Sequence, residues 1–241
     1  MVINSGESIE KLIDDCIAWD EEPHKSSGKF NPSSFGQCFR KQIWKRKGET
    51  PTNPPDKRTL RVFKVGKMFE EFICYALQKN GVSAFQVPVE EEDVKGFADF
   101  QTENEVGEIK STHSNSFHHV TRELRTKTII EIKKGNVLQV GYYALKLGKE
   151  FIRLIYVSKD DLCIQSFKIN TTDIKPLVEE ELSTLREFWG KSEPPPASPR
   201  AYGNDKDGTP RECSKYCQFK EKCLEVEGKE HPINKAKEAN G

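Results

Sequence analysis

The chain has 241 residues, of which 35% are apolar and 32% charged. That is enough for one buried core with appendages, and no run approaches the roughly 18 apolar residues of a membrane helix. Basic and acidic residues balance at 38 each, so any attraction for a polyanion must be local. The balance hides an asymmetry. Lys29 to Lys67 holds eleven Lys or Arg against Glu49 and Asp56, whereas Met1 to Glu22 holds seven acids against Lys11. A basic block of this kind either binds a polyanion or forms a solvated helix face.

Ser8 to Trp19 reads as a short amphipathic helix with Ile9, Leu12, Ile13, Cys16 and Ile17 on one stripe. A polar loop, Glu21 to Pro32, follows. Ser33 is placed to cap a helix running to about Lys47, where Gly48 stops it. Thr50 to Asp56 holds three prolines and is expected to be irregular. Thr59 to Lys79 predicts a long helix ended by Asn80-Gly81. Val82 to Val89, Gly96 to Gln101 and Val106 to Thr112 predict strands, the last two as a hairpin around Thr102 to Glu105. Residues 113 to 135 are polar and mixed and predict no element. Asn136 to Leu147 reads as a helix closed by Gly148. Glu150 to Ser158 and Leu162 to Ile169 form a second hairpin, and Thr172 to Trp189 a further helix. Strands alternating with helices fit an α/β sheet flanked by helices.

The chain divides into an acidic N-terminal helix and loop (1–32), a basic segment (33–58) and a core (59–190). A linker with a cysteine cluster (191–224) and a polar tail expected to be disordered (225–241) complete it.

Chemistry concentrates in two places. Asp99 ends Gly96-Phe97-Ala98-Asp99, and Glu108-Ile109-Lys110 follows on the partner strand. Side chains two apart on a strand share a face, so Glu108 and Lys110 point together while Ile109 enters the core. If the hairpin forms, Asp99 reaches the same spot. Two carboxylates can hold Mg²⁺ or Mn²⁺, and a lysine beside them can orient or deprotonate a water and pair with a phosphate. An isolated E-x-K is more often a surface salt bridge. Gln139 and Tyr143 share a face of the following helix at i and i+4, which a half-buried core helix would also produce. Glu70 stands one turn after Gly66 in the long helix.

In this order Gly66/Glu70, Gly96/Asp99, Glu108/Lys110 and Gln139/Tyr143 resemble the RecB-like PD-(D/E)XK nuclease family. The resemblance implies a restriction-endonuclease-like core, a mixed central sheet flanked by helices. It implies Asp99, Glu108, Lys110, Gln139 and Tyr143 as catalytic residues, and Glu70, Asp99 and Glu108 as ligands of Mg²⁺ or Mn²⁺. Many members carry His where this chain has Glu70; a carboxylate still suits these ions.

Seven cysteines are present, and Cys213, Cys217 and Cys223 crowd together. Three soft ligands need a fourth; Cys38, His231, Cys16, Cys74 and Cys163 are available. Cys16, Cys74 and Cys163 read as core cysteines. The segment Ser33 to Trp44, with Cys38, Arg40 and Trp44, resembles the first-cysteine region of iron–sulfur RecB-like exonucleases. These include CRISPR-associated spacer-acquisition nucleases and phage or archaeal-virus relatives. The likeness covers about residues 33–224 and implies a 4Fe–4S cluster on Cys38, Cys213, Cys217 and Cys223, clasping N- and C-terminal segments together. Three residues, not the family's two, separate Cys213 from Cys217. Zn²⁺ on the same thiolates is the alternative.

The expected function is metal-dependent DNA hydrolysis, as an exonuclease on single-stranded DNA or DNA ends. The alternative is a catalytically weak DNA-binding or adaptor protein that keeps the fold. Arg40, Lys41, Lys45 and Arg46 are the expected DNA contacts. Phe39 and Trp44 could stack bases, though packing beside the cysteines is the more ordinary role. Beyond DNA, a recombination, helicase or CRISPR-adaptation partner is compatible with the resemblance; no membrane partner is expected, and no oligomer interface is legible. With no secretory-signal pattern at the acidic N-terminus, a cytoplasmic location is expected, in the host cytoplasm for a viral protein.

Overall fold

The computed structural model describes residues 8–20 and 26–239. Its helices are α1 (Ile9–Asp20), α2 (Phe39–Lys47), α3 (Lys57–Lys79), α4 (Ser114–Glu123), α5 (Ile129–Ile132), α6 (Lys134–Leu147), α7 (Thr171–Trp189), α8 (Arg211–Ser214), α9 (Lys220–Glu227) and α10 (Pro232–Glu238). Its strands are β1 (Ala84–Glu90), β2 (Lys95–Gln101), β3 (Glu105–Thr112), β4 (Phe151–Ser158) and β5 (Ile164–Asn170). Among the described residues, no helix is long and apolar enough to cross a membrane.

The five strands form one mixed sheet in sequence order. β1–β2, β2–β3 and β4–β5 are antiparallel, while β3–β4 is parallel. Parallel neighbours need a crossover, and α4, α5 and α6 supply it. β4, the most apolar strand, is buried along most of its length. It sends Ile152, Leu154 and Tyr156 into the larger core with α6 and α7, and Ile155 and Val157 into a smaller core with Ile73 of α3. Period-two alternation thus serves two layers of helices at once. Ile109 joins the smaller core, as its place between Glu108 and Lys110 requires.

The N-terminal basic segment departs from expectation. Ser33 does not cap a helix running to Lys47. Asn31 caps a short 3-10 turn over Pro32–Ser34, and α2 begins only after Cys38. The break falls at Gly36, whose φ of +74° is left-handed backbone. A Cβ on Gly36 would sit 2.8 Å from the Cα of Gly135 in α6, so these two backbones touch. Glu181 of α7 secures the turn. Its buried carboxylate accepts the Gly36 N–H at 2.9 Å, Gln42 Nε2 at 3.2 Å and Arg200 Nη2 at 2.6 Å.

Residues 113–135, which predict no element, contain α4 and α5. His113 caps the first, and a Thr128–Glu131 capping box starts the second. Phe117 and Val120 alone bury α4, too few to mark a period. The tail expected to be disordered is helical as far as Glu238, anchored by buried His231 and Ile233. Cys16 and Cys163 are exposed rather than core residues, and Cys74 is half-buried. The stripe on α1 leaves Ile9 and Ile13 exposed. The acidic residues before Ser8, and part of the loop Glu21 to Pro32, lie outside the described residues.

Candidate active site

β2 and β3 begin as a regular hairpin. Phe100 pairs with Gly107 and Gln101 with Val106, where the recorded ladder ends. Beyond it Asp99 Oδ2 accepts the Ile109 N–H at 2.6 Å. A carboxylate stands where a main-chain carbonyl would otherwise accept, and the strands part around it.

Glu108 meets Lys110 and α6 in the opening. Its Oε1 accepts Lys110 Nζ at 2.5 Å and Gln139 Nε2 at 2.8 Å. Its Oε2 is buried with no hydrogen-bond partner among the described residues. Asp99 and Glu108 are 8% and 3% exposed. Burial, then the charges of Glu108 and Glu70, push Asp99 up to about 8. Burial, then Glu108, likewise raises Glu70. For Lys110, burial works to lower the pKa, but the adjoining Glu108 carboxylate outweighs it and the ammonium is favoured.

This is an electrostatically incomplete site. Three acids influence one another, one ammonium compensates, and a carboxylate oxygen has no donor. Such an oxygen-rich donor set fits a hard divalent cation, although no three described Asp, Glu, His or Cys side chains are already set in a ligating arrangement.

Gln139 and Tyr143 serve this arrangement from α6. Tyr143 is buried one turn after Gln139, near enough to Glu108 for that charge to act on its phenol. Burial, then Glu108, raises its pKa, so the phenol stays protonated. Gly96 explains itself here, since a Cβ would come within 2.5 Å of the Tyr143 hydroxyl. Both residues position Glu108. Two neighbours have no sequence signal. Gln86, at φ +47°, donates Nε2 to Glu70 Oε1 at 2.5 Å. Half-buried Cys74 lies one turn beyond Glu70; burial, then the Glu70 and Asp99 charges, push its thiol up to about 11.

The second constellation is a cavity lined by Cys38, Cys213, Cys217 and Cys223. All four are free thiols. Burial pushes Cys213 up to about 12 and Cys223 up to about 11, and raises Cys38 and Cys217. Four sulfurs, three buried and Cys217 half-buried, that resist ionisation unless compensated fit a soft cation or an iron–sulfur cluster. His231 lines the same cavity, but its Nδ1 accepts the Ile233 N–H at 3.1 Å and caps α10.

Arg40 is corrected from surface contact to cavity wall. It is 4% exposed, donates Nε to Pro195 O at 2.6 Å and Nη1 to Cys223 Sγ at 3.6 Å, and pairs with Glu227. Arg46 lies over the rings of Phe30 and Trp189 and donates to Gly28 O. Lys41 Nζ donates to Tyr216 O at 2.9 Å and Lys45 Nζ to Ser34 Oγ at 3.2 Å. Much of the basic block therefore ties the chain to itself. Trp44 packs with Phe219 and Cys223, and Phe39 with Phe188.

No protein family's sequence profile matches the chain, and no curated protein does. Solved structures do. SSO0001 matches with a TM-score of 0.51 at 17% identity, over 88% of this chain and 94% of that one. The alkaline exonuclease LHK-Exo from Laribacter hongkongensis matches at 0.44 and 14% identity, over 66% and 89%. A phage-related exonuclease from Haemophilus somnus 129PT matches at 0.46 and 12%, over 63% and 78%. The likeness to SSO0001 is one of fold: a mixed sheet flanked by helices.

Proposed function

We propose that this chain is a Mg²⁺- or Mn²⁺-dependent DNA nuclease, acting on single strands or ends, with a four-cysteine 4Fe–4S clasp beside its catalytic core. The observation that carries the reading is the convergence of Asp99, Glu108, Lys110 and Gln139, with Glu70 facing them, around a carboxylate oxygen that has no donor. Glu70, Asp99 and Glu108 would hold a divalent cation, which when bound would supply Lewis acidity and a more acidic water.

The chain's own groups do the rest. Lys110, beside Glu108, is placed to pair with a phosphate oxygen and to orient or deprotonate the attacking water. Gln139 fixes the Glu108 carboxylate by one Oε and leaves the other for the ion. Tyr143, itself held by Gly96's missing Cβ, keeps Gln139 in place. The preference for ends follows the resemblance of the motif series, and so does the choice of iron–sulfur over Zn²⁺ in the cysteine cavity.

The test is anaerobic purification, an absorbance spectrum through the region near ~400 nm where thiolate-ligated clusters absorb, and cleavage of end-labelled single-stranded DNA with Mg²⁺ or Mn²⁺. A brown protein whose cleavage disappears in Asp99→Ala is expected. A colourless protein that binds DNA without cutting it would make the chain an adaptor with the nuclease fold.

A further inference from the structure

Tyr202 and Tyr216 have no part in the sites above. They are 50% and 51% exposed, and their rings pair with centroids 4.4 Å apart and planes 34° apart. Exposed though they are, they are firmly placed. Tyr202 takes φ +68°, left-handed backbone that a bulky residue adopts only where its surroundings dictate it.

Glu212 pins the two residues before Tyr202. Its carboxylate is 1% exposed. Oε2 accepts the N–H groups of Arg200 at 2.7 Å and Ala201 at 2.9 Å, and Oε1 accepts that of Cys38 at 2.6 Å. On the far side of Tyr202, the Arg211 N–H donates to Gly203 O at 3.0 Å. Tyr216 lies between Cys213 and Cys217, and its carbonyl accepts Lys41 Nζ at 2.9 Å. Both rings are thus mounted on the wall of the cysteine cavity.

Aromatic rings fixed in advance and flanked by ammonium groups are how proteins grip single-stranded nucleic acid. The rings stack on bases and the cations meet phosphates. Rings ordered before binding lose little freedom on binding. A duplex keeps its base faces covered and gains little from such a surface. Lys41, whose ammonium reaches the Tyr216 carbonyl, complements a phosphate; exposed rings alone would suit a protein partner equally.

We infer that Tyr202 and Tyr216 form a base-stacking platform that seats a single-stranded polynucleotide beside the cysteine cavity. The inference rests on the nuclease reading.

The test is fluorescence anisotropy of a labelled oligothymidylate of about 16 nucleotides on protein carrying Asp99→Asn, with and without duplex competitor. Adding Tyr202→Ala or Tyr216→Ala is expected to weaken binding about 5- to 150-fold and to shrink the preference for single strand over duplex by the same factor. Tyr→Phe at either position retains the parent's affinity, and the salt dependence is unchanged because no phosphate contact is lost. Alanine variants that bind like the parent, while the wild type still cleaves DNA, overturn the platform and leave the nuclease standing. A wild type that neither binds nor cleaves polynucleotide removes both. Because an alanine could disturb the cavity, the unaltered protein is also photocrosslinked to a 5-bromouracil oligonucleotide and mapped by mass spectrometry. Adducts on Tyr202 or Tyr216 are expected, and adducts confined to other regions overturn the inference.

Discussion

The carboxylate site and the cysteine cavity are both assembled from distant parts of the chain, yet they are supported differently. Asp99, Glu108 and Lys110 stand on a sheet packed on both faces, with α6 on one side and α3 on the other. The cysteines stand on one end of α2, two short helices and the turns between, over a small cluster of Trp44, Phe219 and Cys223. The first region has core on both faces of its sheet, which offsets unfavourable electrostatics. The second has little apolar core of its own and relies on buried polar ties: Arg40 to Glu227 and Pro195, and Glu212 to three backbone amides. Disturbance should therefore appear as lost chemistry in one region and lost stability in the other.

The largest expected effects test that division directly. Lys110→Ala is expected to slow cleavage about 10²- to 10⁴-fold, read as initial rates on end-labelled single-stranded DNA. Arg40→Ala removes a buried guanidinium and leaves half-buried Glu227 without its cation and Pro195 O without its donor, at about 3–5 kcal/mol. Its melting temperature should fall by about 6–20 °C, taking 2–4 °C per kcal/mol for a chain of this size. If Lys110→Ala melts far lower than wild type while Arg40→Ala does not, the comparison is wrong.

A smaller effect sharpens it through pH. Asp99 is an acid whose folded-state pKa, about 8, lies above the ordinary value of about 3.9. The folded protein binds that proton more tightly, so the stability it contributes is complete below about pH 3.9 and is lost as pH rises through about 8. Melting temperatures of metal-free protein should decline across this window. Asp99→Asn should flatten the decline, and Mg²⁺ should oppose it by compensating the ionised carboxylate. A decline unaltered by the substitution would place its origin elsewhere.

The smallest effect concerns the support of Gln139. Gly96→Ala puts a methyl against the Tyr143 hydroxyl, an overpacking worth about 1–3 kcal/mol. The measurement is a denaturant melt, and a variant as stable as wild type would show that Tyr143 yields at no cost.

The carboxylate site was legible in the sequence because local periods specify it. Alternation turns Glu108 and Lys110 to one side and Ile109 to the other, and helical spacing puts Gln139 and Tyr143 on one face. What each side chain does was less legible, because that depends on remote partners. Arg40 carries a charge that argues for solvent, but Glu227 and Pro195 draw it inside. Glu212 looks like one acid among many beside Cys213, and only the fold shows it accepting amides from Cys38 and the linker. The start of α2 was misplaced because a capping residue can be recognised locally, whereas the contact that forces Gly36 into left-handed backbone comes from α6. The tail was read as disordered from its composition, and two buried residues suffice to order it.

The contact between Gly36 and Gly135 reaches further than the shape of one turn. It joins main chain to main chain, with no side chain between them to rotate or compress. Gly36 lies two residues before Cys38, and Gly135 one helical turn before Gln139. The segment carrying the first cysteine and the helix that orients Glu108 therefore meet at a fixed separation. The two regions, different as they are in support, share one main-chain hinge point through which the position of one sets the position of the other.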